Sequence, residues 1–303
     1  MKLKWLSGLA CLVLGTVTIY GQTVQNNDLK PTGKGWGERG IAAQPAAQPA
    51  AKARAGSNGI TYHGGPLLTA GPNVYFIWYG WAGSYADAKA ESILTNLVST
   101  EGGSPYFHIN SSYYNGSTVH VTNAVHYKGS TVDNYSQGKS LSDAAIQTIV
   151  KNALPHLGVD TNGVYFVLTS ADVNETSGFC TQYCGWHTSG SINGSDIKYA
   201  FVGNPARCLS SCAAQTTSPN GTPGGDGMAS IVAHELEEAT TDPDLNAWYD
   251  SRGEENADKC AWTFGTESTA SNGSKYNVVF GGTQYLIQRN WVNASGGYCS
   301  MSY

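Results

Sequence analysis

Asn73-Val-Tyr-Phe-Ile-Trp-Tyr79 is an unbroken apolar and aromatic run between Gly71-Pro72 and Gly80. Seven residues of this kind with turn formers at both ends read as a buried strand. Gly163-Val-Tyr-Phe-Val-Leu-Thr169 has the same character, and Ile197 to Val202 is a shorter example. Thr118 to Tyr127 shows alternation and is expected to add another strand. Helical spacing lies between them: Ala90, Ile93, Leu94, Leu97 and Val98 recur on one face. Ser142 is placed to cap a second helix, whose inner face is Ile146, Ile149, Val150, Ala153 and Leu154. Strands alternating with helices predict an α/β fold, a single layered domain with a mixed sheet. Later strands are expected at Tyr276 to Phe280 and Thr283 to Gln288.

The N-terminal part has a different character. Lys2 and Lys4 precede an apolar run from Trp5 to Tyr20, which reads as a signal peptide over 1–21. Residues 22–59 centre on Ile41-Ala-Ala-Gln-Pro-Ala-Ala-Gln-Pro-Ala-Ala51, too poor in large apolar side chains to build a core. This stretch is expected to be a disordered spacer, leaving the folded domain at 60–303. No other run reaches the roughly 18 apolar residues of a membrane span. The expectation is a secreted, extracellular protein with no membrane partner after signal cleavage, the periplasm being the alternative compartment. A formal net charge of −5 is mild and argues against nucleic acid as a partner.

Beyond Cys11 the chain has six cysteines, an even number that favours disulfides in an exported protein. The preferred pairing closes each C-x3-C pair on itself, Cys180 with Cys184 and Cys208 with Cys212, and joins Cys260 to Cys299. Zinc ligation by the C-x3-C pairs is the alternative.

Chemistry concentrates in Ala233-His-Glu-Leu-Glu-Glu-Ala-Thr240. On a helix, His234 and Glu238 project from the same face one turn apart and can grip one ion, with Glu235 beside them as general base for a metal-bound water. The spacing is that of the H-E-x-x-H zinc hydrolases with glutamate as the second ligand, which makes this the active-site helix of a zincin-like domain. Nine acids fall within Glu235–Asp258 in a chain that is only 13% charged. A solvated acidic surface is the bland account of that run. Against it stand the apolar neighbours of His234 and the cysteine that ends the loop. The third ligand is expected from Gly253-Glu-Glu-Asn-Ala-Asp258, with Asp258 preferred over Glu254. His187 is expected to line the cleft as a ligand or a transition-state donor, or else to bond backbone within its disulfide loop. The imidazole makes Zn2+ the first choice, and the oxygen-rich set leaves calcium or manganese open. No Gly-x-Ser-x-Gly elbow or phosphate-binding glycine loop occurs.

Five blocks carry a family resemblance: Tyr62-His-Gly-Gly-Pro-Leu-Leu68, Val74-Tyr-Phe-Ile-Trp-Tyr-Gly80, Val167-Leu-Thr-Ser-Ala-Asp-Val173, Gly178-Phe-Cys-Thr-Gln-Tyr-Cys-Gly-Trp-His187 and Tyr199-Ala-Phe-Val-Gly-Asn204. In these the chain resembles the EXORDIUM, or phosphate-induced-protein-1-like, family of secreted plant proteins. The resemblance implies an extracellular or cell-wall-associated protein without an established reaction. The H-E-x-x-E helix is read as a departure from the plant pattern, retained in a microbial relative. Two functions are therefore expected to compete. One is a metal-dependent hydrolase, a zinc peptidase acting on a peptide or cell-wall substrate. The other is a non-catalytic EXORDIUM-like protein with a structural metal site or none.

Overall fold

The computed structural model describes residues 59–116 and 118–303; the expected signal peptide with Cys11, and the expected spacer up to residue 58, lie outside them. Strand β1 (Ile60–Tyr62) opens the described chain. It is followed by β2 (Asn73–Tyr79), α1 (Ala88–Thr100) and β3 (His126–Asp133). Next come α2 (Asp143–Leu157), β4 (Gly163–Thr169), β5 (Gly185–Ile192) and β6 (Ser195–Val202). The long helix α3 (Pro223–Thr241) and β7 (Trp248–Asp250) complete the part that builds the site.

A five-stranded sheet in the order β3-β2-β4-β6-β5 forms the centre. Its first four strands are parallel, and β5 runs antiparallel along the outer edge of β6, His187 opposite Ala200. The sheet is therefore mixed within one α/β layered unit. β4 is buried along its whole length, which explains its continuous apolar sequence, whereas β3 alternates as an edge strand does. Pleat parity places the layers. The alternate positions Gly185 and His187 face α3, while Gly190, of opposite parity, lies against Gln147 of α2. Helix α2 thus lies on the sheet face opposite the one that α3 packs against.

Both flanking helices bury the faces their periodicity picks out. Asp87 accepts from Ala90 N–H to cap α1, and Ser142 accepts from Ala145 N–H to cap α2. The strand expected at Thr118–Tyr127 lies further on, at His126–Asp133. The residues before it make only an isolated bridge, His120 with Tyr114. The register of β2 with β3 starts at Asn73 opposite His126, so pairing with the central strand, not local alternation, sets where β3 begins. The late strands are shorter than expected, Val278–Phe280 and Thr283–Tyr285 as a hairpin.

The three disulfides are Cys180–Cys208, Cys184–Cys212 and Cys260–Cys299. The last is the expected one, but the C-x3-C pairs join crosswise and do not close on themselves. Cys208 and Cys212 stand four apart around the helical turn Leu209–Cys212. At that spacing Cβ atoms are about 5–6 Å apart, beyond the ~3.8 Å of a disulfide. Each instead meets a cysteine of the segment leading into β5, at Cα separations of 5.8 and 5.4 Å. The paired bridges anchor the start of β5 beside α3.

Candidate metal centre

Helix α3 begins at Pro223, earlier than the apolar pattern around Val232 suggests, and is almost entirely buried. Its first turns are Pro223-Gly-Gly-Asp-Gly, an unpromising helix sequence by propensity. Close packing accounts for it: a Cβ on Gly225 would lie 2.7 Å from the Ala90 Cβ of α1. The far half of α3 carries the acids. A Cβ on Gly185 would lie 2.6 Å from Ile231 Cγ2 and 3.1 Å from Glu235 Oε1. Glycine therefore lets β5 approach α3 closely, and His187, two residues on, meets the acidic face.

Two imidazoles and four carboxylates converge there. His234 Nε2 lies 3.0 Å from Glu238 Oε1 and 3.7 Å from Asp258 Oδ1. His187 Nδ1 lies 3.3 Å from Glu235 Oε2 and 3.5 Å from Glu238 Oε2, and its Nε2 lies 3.6 Å from Glu255 Oε1. His234, Glu238 and Asp258 can each present a ligand atom within 4.8 Å of the other two, and so can His187, Glu238 and Glu255. Asp258 is fixed by its backbone: its N–H donates to Glu238 Oε1 at 3.0 Å, and its Oδ2 accepts from Glu255 N–H at 3.0 Å.

Burial is near complete. Glu235 is 0% exposed, His187, His234 and Glu238 are each 1%, and Glu255 is 2%. Burial works to raise the Glu238 carboxyl, but the charge of His234 and then the bonds and charge of His187 outweigh it and hold it down at about 2. Asp242, at the end of α3, is pushed up by burial to about 7, although the Ala247 and Asn246 N–H groups donate to it.

The expected residues divide unevenly. His234, Glu235, Glu238, Asp258 and His187 come together. Glu254 does not: its carboxylate is 2.7 Å from Arg252 at the rim and 4.0 Å from Lys259. The neighbouring Glu255 occupies the inner position instead. That residue was not singled out from the sequence, where the acids of one loop look alike. Glu237 points away from the centre, accepting from Asn290 Nδ2, and shares a buried region with Glu101. Tyr249, on β7 beside the centre, stacks on His63 with ring centroids 3.7 Å apart.

The described region coincides with a known sequence family. Residues 60–300 match the model of the phosphate-induced protein 1 conserved region. The chain belongs to this family. It is similar to protein EXORDIUM-like 3 of Arabidopsis thaliana, 34% identical over 281 residues that cover 80% of this chain and 82% of that protein. EXORDIUM-like 5 of the same plant is 29% identical, covering 77% of this chain and 75% of its own length. No solved structure gives a significant match. Membership of the phosphate-induced protein 1 family carries no reaction with it, so the chemistry rests on the geometry of the centre.

Proposed function

We propose that this is a secreted member of the EXORDIUM-like family, built around a buried divalent-metal centre whose principal role is structural. His234, Glu238 and Asp258 hold the ion, which fastens α3 to the segment ending at Cys260. The observation that carries this reading is enclosure: the ligand set is dense enough for a metal, yet Glu235 is 0% exposed. A general base must reach within hydrogen-bond distance of its water or substrate. A peptide has no access to an enclosed carboxylate. Structural zinc sites are closed in this way, whereas catalytic ones keep a position open. Zinc is the first candidate because of the imidazoles, with manganese or calcium admitted by the oxygen ligands. Two carboxylates on one dication also weaken its pull on a bound water, which further disfavours hydrolysis. The three disulfides suit an oxidising, extracellular location.

One observation favours a second reading, a zincin-type hydrolase cutting a peptide or cell-wall substrate. Glu235 follows ligand His234 directly and meets His187 on the antiparallel edge strand. If the segment after α3 swings out, Glu235 becomes the base and His187 a hydrogen-bond donor to the transition state. Thermal unfolding before and after chelation, with Glu235→Gln alongside, separates the two. The structural reading expects the melting temperature to fall on chelation and recover on adding Zn2+, and expects Glu235→Gln to change no peptide or wall-polymer hydrolysis. Hydrolysis by the wild type that vanishes in Glu235→Gln would transfer the centre to the enzymes. An unchanged melt after complete metal removal would end the structural role.

A further inference from the structure

We propose that the centre takes two divalent cations bridged by Glu238, not one. This inference rests on the metal-centre reading above and deepens it. The two convergent ligand sets share Glu238 alone. Its two oxygens address different imidazoles: Oε1 lies 3.0 Å from His234 and Oε2 lies 3.5 Å from His187. Each position then has the same composition, one imidazole, one terminal carboxylate and half of the bridge. His234 and Asp258 serve the first ion; His187 and Glu255 serve the second.

Spacing supports ligation over direct ion pairing. Hydrogen bonds between charged N–H and carboxylate run about 2.7–2.9 Å. Within the proposed sets His187 Nδ1 lies 3.5 Å from Glu238 Oε2 and His234 Nε2 lies 3.7 Å from Asp258 Oδ1, while His234 Nε2 to Glu238 Oε1 is 3.0 Å. Ligand atoms on a tetrahedral ion with bonds of about 2.0–2.1 Å lie about 3.3–3.4 Å from one another, which these distances approach. A carboxylate bridge suits the ~3.5–4 Å between ions of two-metal sites.

Charge points the same way. Glu235, Glu238, Glu255 and Asp258 bring four carboxylates into the buried centre. One dication leaves two negative charges in the protein interior, each carrying a penalty of several kcal/mol. Two dications balance the set. Asp242 borders the second position. Its carbonyl lies 3.4 Å from His187 Nε2, and its buried Oδ2 has no hydrogen-bond partner. The terminal carboxylates are held at a fixed offset, because Glu255 N–H donates to Asp258 Oδ2 and leaves Oδ1 facing His234.

The test is a titration of the demetallated full chain with Mn2+, counting bound metal and recording its electron paramagnetic resonance spectrum. The expectation is two equivalents per chain and a spin-coupled spectrum. Glu255→Gln and His187→Gln should each retain one equivalent and give the uncoupled six-line spectrum, and His234→Gln should also retain only one. Saturation of the wild type at one equivalent would overturn the bridged pair and leave the single-ion centre standing. Two equivalents that persist in both Glu255→Gln and His187→Gln would place the second ion elsewhere and equally overturn the proposal. No binding by wild type that folds normally would remove the metal-centre reading altogether. The wild-type stoichiometry decides the matter even if a variant fails to fold.

Discussion

Glu101 ends α1 with its carboxyl only 1% exposed, and neither side-chain oxygen has a hydrogen-bond partner. Burial alone pushes it from the ordinary 4.5 up to about 8. A carboxyl raised in this way binds its proton more tightly in the folded chain than in the unfolded one. It contributes its full stability below about pH 4.5 and loses it as pH rises through about 8. At about 1.36 kcal/mol per tenfold change in proton affinity, the loss is on the order of 5 kcal/mol. Glu101→Gln replaces the protonated acid by a neutral group of the same shape and should remove that dependence. Urea unfolding at about pH 5 and about pH 9, with metal content held equal, is the assay. The two proteins should match within about 1 kcal/mol at the lower pH, and the variant should be more stable by several kcal/mol at the higher. A variant no more stable than wild type at the higher pH would refute the reasoning, since it would mean that Glu101 ionises in the folded protein without penalty.

Three further outcomes follow from the packing and the bridges. Peptide mapping without reduction should recover Cys180 linked to Cys208 and Cys184 linked to Cys212; recovery of Cys180 linked to Cys184 would restore the local pairing. Removing the third bridge by Cys260→Ser with Cys299→Ser should cost about 4 kcal/mol by chain entropy for a 39-residue separation. The sheet should still fold, as judged by circular dichroism, and metal affinity should fall at least about tenfold because the freed segment must be ordered before Asp258 binds; unchanged affinity would detach that segment from the site. Gly185→Ala drives a methyl into Ile231 and the Phe201 carbonyl and should lower unfolding stability by about 1–3 kcal/mol, whereas a neutral result would show that β5 and α3 are less tightly apposed.

Much of the architecture was legible in the sequence because burial writes directly into it. The continuous runs of β2 and β4 and the inner faces of α1 and α2 are the buried surfaces of a layered domain. Strand β5 was not legible: Gly185-Trp-His-Thr-Ser-Gly-Ser-Ile192 has neither apolar continuity nor clean alternation, and its pairing with β6 makes it a strand. The first half of α3 was hidden by glycines whose reason is contact with α1 and with Asn204 and Pro205. At the centre, helical spacing brought out His234, Glu235 and Glu238. The choice among Glu254, Glu255 and Asp258 depended on a backbone turn, and that turn sends Glu254 to Arg252 at the surface. The crosswise bridges depended on which segments lie side by side, information that spacing between cysteines does not contain.

Elemental analysis of the untagged mature protein, purified without chelators, tests the central claim most directly. Inductively coupled plasma mass spectrometry should find at least one tightly held divalent ion per chain, and His234→Ala should reduce the content. Metal-free protein that is fully folded, and that stays metal-free after dialysis against zinc and manganese, would contradict the account. The imidazoles and carboxylates around Glu238 would then be a protonated polar core and nothing more.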